Sequence, residues 1–418
     1  MPRELLIASQ FGTGDAIDSF MVALVLPTFL LGVLGGSVAA AFIPSYVRAL
    51  ERDGRPAADV LLREITFWYV ALLCMASVAV VAAAPWLLTL IASGFPATKL
   101  ELTRQLLYIL LVTVPLGGLA FLWAAVLNAR ESFAVPAVSQ CLIPAVGMVA
   151  LLAFPEAGVN ALSGGMVGGF FLRAIVLAWI LLRQGTQILP AWGGLSDDTR
   201  QAIGQYAPVT IAAVLMGGTA VVDQAVAAAL GSGSVATLGY GLKLVYLASN
   251  LGVMALGTAV LPFLSRMVAA HDWDQLRATM RNFSLLAFLG LAPIAAVVAY
   301  YSPNIVSIFF QRGMFTSSDA QAVAQVQAFG VWHLPFMAVG IVYVRLISSL
   351  GANQLLAIQS GALLFVNFAL DVLFAQYLGV SGIALATTVL HVASLIILVA
   401  MARFALRRAE FRAKQRSG

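Results

Sequence analysis

The sequence predicts an all-α polytopic membrane protein of two homologous six-helix bundles, about twelve transmembrane helices in all, the first of them incomplete. Three observations carry this. Of 418 residues, 61% are hydrophobic and only 10% charged, and the mean hydropathy is +0.96, well above the apolar share of a soluble domain. Apolar runs of about 20 residues recur along the whole length, each long enough as helix to cross a hydrocarbon core of about 30 Å, without the dyad alternation of a barrel strand. The two halves also repeat each other in sequence.

The elements follow in order. "MPRELLIASQFGTGD" reads as the second half of a helix, too short and too soon polar for a cleavable signal peptide; a complete first span calls for more apolar residues upstream. Eleven further helices are predicted, roughly at 19–45, 66–92, 105–128, 134–154, 158–182, 203–229, 236–264, 282–302, 320–350, 355–377 and 380–402. Assigning their loops alternately places 16 Lys/Arg residues on the side holding 46–65, 129–133, 183–202, 265–281, 351–354 and the tail from Arg403. The other side holds Lys99, Arg104 and Arg312. By the positive-inside rule, the tail and the first of these loops belong in the cytoplasm. This asymmetry accounts for the net charge of +5 better than nucleic-acid binding does, and no nucleic-acid partner is expected. The tail reads as a solvated or headgroup-facing anchor.

The repeat supports division into an N-terminal bundle at 1–190, a C-terminal bundle at 198–405 and a basic cytoplasmic tail at 406–418. "FGTGDAIDSF" at 11–20 matches "LGSGSVATLG" at 230–239, and "AAAFIPSY" at 39–46 matches "GTAVLPFL" at 257–264. "SGFPATKLE" resembles "QRGMFTSSD", and each is followed by a helical proline, Pro115 and Pro335. Parallel repeats of this kind enclose a central substrate site and rock against each other. Cys74 and Cys141 lie in apolar spans and read as small buried hydrophobes. The histidines at 271, 333 and 391 are dispersed, and no long loop carries clustered carboxylates beyond Asp197 and Asp198. Nothing therefore points to a metal-dependent enzyme or to a cofactor, and the chain is expected not to be an enzyme.

Ionisable residues inside a membrane are costly and usually face a cavity, a partner or an ion. Arg3, Glu4, Arg173, Asp223, Lys243, Arg345 and Asp371 fall within or at the edge of spans, and Asp18 lies at the outer end of the second. The repeat superposes Glu4 on Asp223. Asn367 and Asp371, four apart in "VNFALD", share one helical face, and Ile383 and Thr387 follow in the next helix. With Asp223 they could form an oxygen-rich cage for a hard monovalent cation or a proton; hydrogen bonding between helices is the other reading. Arg3 and Lys243, facing a cavity between bundles, would suit an anionic phosphate or pyrophosphate, and snorkelling to headgroups is the alternative.

"PRELLIASQFGTGDAIDSFMVALVLP", "AAAFIPSY" and "GSGSVATLGYGLKLVYLASNLGVMALGTAVLPFLS" resemble the MurJ/MviN family of lipid II flippases, in the multidrug/oligosaccharidyl-lipid/polysaccharide exporter superfamily that also holds the MATE transporters. The resemblance covers essentially the whole chain. It implies an alternating-access flippase in the bacterial cytoplasmic (inner) membrane that moves an undecaprenyl-pyrophosphate-linked peptidoglycan precursor, amid membrane lipids, during cell-wall biogenesis. By the same resemblance, Arg3 is a cavity arginine, Asp18 the acid of a "D-[AS]-F" motif at the substrate site, and Lys243 a lysine in place of a cavity arginine. It makes Asp223, Asn367, Asp371, Ile383 (through its carbonyl) and Thr387 a sodium site, with sodium as coupling ion.

The sequence departs from the family where "R-R-x-x-x-E-G-A" becomes "LLGVLGGS". Leu30 and Leu31 replace the arginine pair, and Gly35 replaces the glutamate. A further arginine and two C-terminal helices of the family have no counterpart in these residues. Those changes keep open a flippase for another lipid-linked oligosaccharide, of exopolysaccharide or O-antigen type, or a multidrug/cation antiporter.

Overall fold

The computed structural model describes residues 2–192 and 197–417; Met1, where the reading of an incomplete first helix begins, and Gly418, the last residue of the tail, lie outside them. Among the described residues the structure is helical, with no strand. It divides into two compact units, Met1–Ile7 with Gly14–Ala229, and Ala8–Thr13 with Leu230–Gly418.

The first unit takes the start of α1 (Pro2–Phe11), then α2 (Asp15–Leu30) and α3 (Gly36–Ile91). Between α2 and α3 the five residues Leu31–Gly35 form a π turn, a wider coil that leaves backbone groups displaced from the α ladder. The hydroxyl of Tyr206 donates to the Leu34 carbonyl there at 3.0 Å. Helix α3 is broken at Gly54, whose φ of 79° and ψ of −174° are open to glycine without strain, so it forms two limbs. Next come α4 (Ala97–Leu111) and α5 (Thr113–Ala129), interrupted at Val112, three residues before Pro115. Proline lacks an amide hydrogen and crowds the carbonyl one turn earlier, which accounts for the break. α6 (Ala134–Ser139), α7 (Leu142–Ala153), α8 (Val159–Arg183) and α9 (Asp197–Ala229) complete the unit.

Small residues let these helices approach closely, as membrane packing favours. A Cβ added at Gly169 would lie 2.7 Å from the Ile143 Cα, and one at Gly165 2.9 Å from the Gly147 Cα. The boundary read from the sequence put residues 198 onward in the C-terminal bundle; here α9 belongs to the first unit. It packs along α3 and α2, with Thr199 Oγ1 donating to buried Glu64 at 2.6 Å and Gly217 set against the Phe29 ring.

The second unit begins with Ala8–Thr13, tied down by the Met314 amide donating to the Ser9 carbonyl at 2.8 Å and by Thr13 Oγ1 donating to Asp319 at 2.6 Å. Then follow α10 (Ser234–Ala248), a second π turn at Ser249–Val253, α11 (Met254–Ala269) and α12 (Trp273–Phe310). α13 (Ser317–Gly330) starts with a reciprocal capping box between Thr316 and Asp319 and is separated from α14 (His333–Ser349) just before Pro335. α15 (Asn353–Leu378) and α16 (Val380–Ser417) form an antiparallel hairpin about Gly379. Val260, Leu264, Leu276, Val342 and Leu346 anchor its core.

Nine stretches of the described residues are long and apolar enough to cross a membrane. One of them, Asp15–Ile91, is the pair of spans that Gly54 divides, and the broken helix Ser234–Ala248 with Val260–Ala269 supplies a further crossing. With α1, the predicted set of twelve helices is all present. One expectation fails: Cys74 and Cys141 are exposed rather than buried, on apolar helix faces, and both are free thiols. Periodicity could not assign a side for them because lipid-facing and core-facing positions are equally apolar.

Candidate functional site

Four of the five residues predicted to hold an ion lie on the two packed helices of the α15–α16 hairpin. Gly382 permits the contact: a Cβ there would lie 2.2 Å from the Phe374 carbonyl oxygen. Farther along, Gln359 Nε2 donates to the Ser394 carbonyl at 3.1 Å and to its hydroxyl at 3.0 Å. Between those two anchors lie Asn367 and Asp371 on one helix and Ile383 and Thr387 on the other. Asp371 and Ile383 are wholly buried, and Asn367 and Thr387 nearly so. Asn367 Nδ2 donates to Asp371 Oδ2 at 2.9 Å, and Thr387 Oγ1 donates to the Ile383 carbonyl at 3.1 Å. A carboxylate, an amide, a hydroxyl and a main-chain carbonyl present oxygen donors only, the chemistry a hard monovalent cation takes. The fifth residue, Asp223, is buried on α9 of the first unit.

Beside this cluster sequence reasoning missed a feature. His391, one turn beyond Thr387, sets Nδ1 at 2.8 Å from the Thr387 carbonyl and stacks on His333, centroid to centroid 4.9 Å. The histidines read as dispersed therefore include an adjacent pair, His333 buried and His391 half-buried, and nothing in their spacing signals it. Among the described residues no group of three metal-ligating side chains occurs.

In the first unit, Arg3 pairs with its neighbour Glu4, Nη2 to Oε1 at 2.6 Å, and its stem runs beside Gly147 of α7. Arg173 is buried, its guanidinium 5.5 Å from the Phe121 ring centroid. Its Nε has no hydrogen-bond partner among the described residues. The ring face attracts the cation, but this does not replace the lost hydration. Arg173 was noticed in the sequence without a role; its signal was an arginine inside a 25-residue apolar helix.

Asp18, expected at the substrate site, lies near the start of α2. It is fully buried, with Oδ2 at 2.8 Å from Lys99 Nζ, which also reaches Asp15 at 2.7 Å and lies over the Phe95 ring. The Lys99 carbonyl in turn accepts hydrogen bonds from Ser19 and Thr103. The cluster locks the start of α2 to the start of α4. Lys243, half-buried on α10, belongs to the second unit, one and a half turns before its π turn.

Residues 7–415 match the family model for the lipid II flippase MurJ. The chain belongs to the MurJ family. Among its relatives are a probable lipid II flippase MurJ from Synechocystis sp., 27% identical over 414 residues covering 96% of this chain and 77% of that protein. The lipid II flippase MurJ of Burkholderia cenocepacia is 25% identical, covering 83% and 69%. The fold is similar to that of a solved lipid II flippase MurJ in an inward closed conformation, with a TM-score of 0.83 at 19% identity over 98% of this chain and 87% of the other. It is also similar to an inward-facing MATE-family multidrug transporter, with a TM-score of 0.81 at 12% identity, 98% and 96% being covered. As a member of that family, the protein is a multi-pass membrane transporter.

Against the MurJ pattern, the replaced acid position has a structural cause. Gly35 closes the first π turn, and a Cβ there would fall 2.6 Å from the Phe121 ring. That ring is the one beneath Arg173. Where the family pattern has a carboxylate, this chain has an aromatic face.

Proposed function

We propose that the chain is an alternating-access flippase moving lipid II, an undecaprenyl-pyrophosphate-linked peptidoglycan precursor, across the bacterial cytoplasmic membrane, with its C-terminus in the cytoplasm. The observation that carries this reading is the family match over residues 7–415. Arg3 and Arg173 of the first unit and Lys243 of the second supply the positive charge that a pyrophosphate group requires; the arginines add a planar fork that can take two phosphate oxygens. The oxygen groups of Asn367, Asp371, Ile383 and Thr387 would hold a coupling sodium ion or proton. When bound, such a cation supplies positive charge next to buried carboxylate. The membrane potential acts on net charge moved across it, at about 2.3 kcal/mol per charge per 100 mV.

The test is growth of a bacterium depleted of its own flippase. The parent chain is expected to restore growth, whereas Asp371→Ala, and Arg3→Ala combined with Lys243→Ala, at equal membrane levels, are not. A parent that inserts yet fails to restore growth excludes lipid II as cargo. A second reading, transport of another lipid-linked oligosaccharide, is favoured by Leu30, Leu31 and the Gly35–Phe121 contact, which remove charge from a pyrophosphate site. Reconstituted vesicles loaded with each lipid-linked sugar separate the two.

A further inference from the structure

We propose that a cleft at the tail end of the second unit binds the phosphate headgroup of an anionic phospholipid. The start of α12, the end of α14 and the end of α16 enclose a cavity of about 670 Å³. Arg277 and Arg281 line it from α12, and Arg403 and Arg407 from α16. Each pair is spaced i, i+4 and so shares a helix face, an arrangement in which like charges repel. Two such pairs turned into one cleft concentrate positive charge there, which Glu410, also in the lining, offsets only in part. Arg277 is engaged by Asp274 at 3.0 Å and by Glu410. For Arg281, Arg403 and Arg407 no carboxylate lies within ion-pair distance among the described residues.

A second, uncharged group points the same way. Ser284 lines the cleft, and its hydroxyl is shielded from solvent without a hydrogen-bond partner among the described residues. The walls below the arginines are apolar, formed by Leu276, Met280 and Leu346 of the unit's core. Leu285, on the same wall, is half exposed toward the side of the helix. Arginines on a rim above an apolar wall match a phosphate group continued by an acyl chain, and they do not match a free anion. The sequence places the cleft at the edge of the apolar spans, on the face rich in Lys and Arg. Basic pockets between helices on that face are suited to acidic headgroups.

Native mass spectrometry of the purified full chain tests this with phosphatidylglycerol and phosphatidylcholine supplied separately. Phosphatidylglycerol is expected to be retained about fivefold or more over phosphatidylcholine, the preference that even one basic residue near an anionic headgroup supplies. Arg281→Gln, Arg403→Gln and Arg407→Gln together should abolish that preference. Arg408→Gln, whose guanidinium stacks on Phe404 outside the cleft lining, should leave it intact. Equal retention of both lipids, or a preference unchanged in the triple variant, overturns the proposal. Displacement of the lipid by millimolar inorganic phosphate also overturns it, by showing a soluble-anion site. Should the triple variant fail to fold, Arg403→Gln and Arg407→Gln singly must each weaken retention measurably for the proposal to stand.

Discussion

Replacing Asp18 by alanine distinguishes a structural acid from a substrate contact. In the parent, Lys99 is 4% exposed at its side chain and is held by Asp18, itself 0% exposed, and by Asp15, which is 61% exposed. Removing one partner of a buried pair costs about 3–5 kcal/mol, because the remaining charge stays dehydrated. Asp15 still reaches Lys99, so the lower end applies, about 3 kcal/mol. For a unit of this size that corresponds to a fall of roughly 6–12 °C in Tm. The second step is Lys99→Met in the same chain. It removes the stranded cation while keeping an apolar stem of similar length against Phe95, and a buried pair replaced by apolar groups is often no less stable. The double variant is therefore expected to recover most of the lost Tm, measured by fluorescence-detected size-exclusion chromatography after heating in detergent. Restoration of growth in the flippase-depleted strain should follow the same order. An Asp18→Ala chain that melts like the parent but does not restore growth, with no recovery on adding Lys99→Met, would refute the structural role and return Asp18 to the substrate.

Two further outcomes follow from close contacts. Gly382→Val is expected to destabilise the chain by about 1–3 kcal/mol or more, since even its Cβ falls 2.2 Å from a backbone oxygen and backbone cannot rotate away as a side chain does. The α15–α16 hairpin should splay at the Asp371 cluster, so any sodium-dependent rise in Tm seen in the parent should disappear; an unchanged response would show that the cluster does not depend on this contact. Tyr206→Phe removes the donor to the Leu34 carbonyl and should cost about 1 kcal/mol, a Tm fall of a few degrees in the same assay, whereas a Tm equal to the parent's would mean that another donor serves the π turn.

The membrane made much of this fold readable. A hydrocarbon core admits only elements that satisfy their own backbone, so run length and charge placement identify helices almost without regard to partners. The breaks near Pro115 and Pro335 fall inside stretches read as single helices at 105–128 and 320–350, because hydropathy does not register a one- or two-residue interruption. The Asn367–Asp371 bond was readable as an i, i+4 pair on one helix. What stayed hidden depends on which helix lies against which. Lys99 meets Asp18 across 81 residues, and was counted among loop charges because its position in the chain says nothing of the α4 start folding over α2. His333 meets His391 only because α14 packs on α16. The assignment of α9 to the first unit depends likewise on contacts with α3, which hydropathy cannot report.

The repeat carries one consequence beyond the helix count. The π turns at Leu31–Gly35 and Ser249–Val253 occupy matching places in the two halves, between the paired motifs at 11–20 and 39–46 and those at 230–239 and 257–264. A wider turn costs hydrogen-bond geometry, and its recurrence in two sequences that differ at most positions argues that the backbone shape, not the side chains, is what the halves share. In the first half that shape is supported by Tyr206 on the Leu34 carbonyl and by Phe121 against Gly35. The Tyr206 support runs through a backbone carbonyl and does not depend on the side chains at 30 and 31, whereas the Phe121 contact requires a residue without a Cβ at Gly35. Phe121 thus touches both Gly35 and Arg173, to which it gives an aromatic face. With an aromatic ring beneath its guanidinium and an Nε that has no hydrogen-bond partner among the described residues, Arg173 retains the donor capacity that the proposed engagement of a pyrophosphate would use.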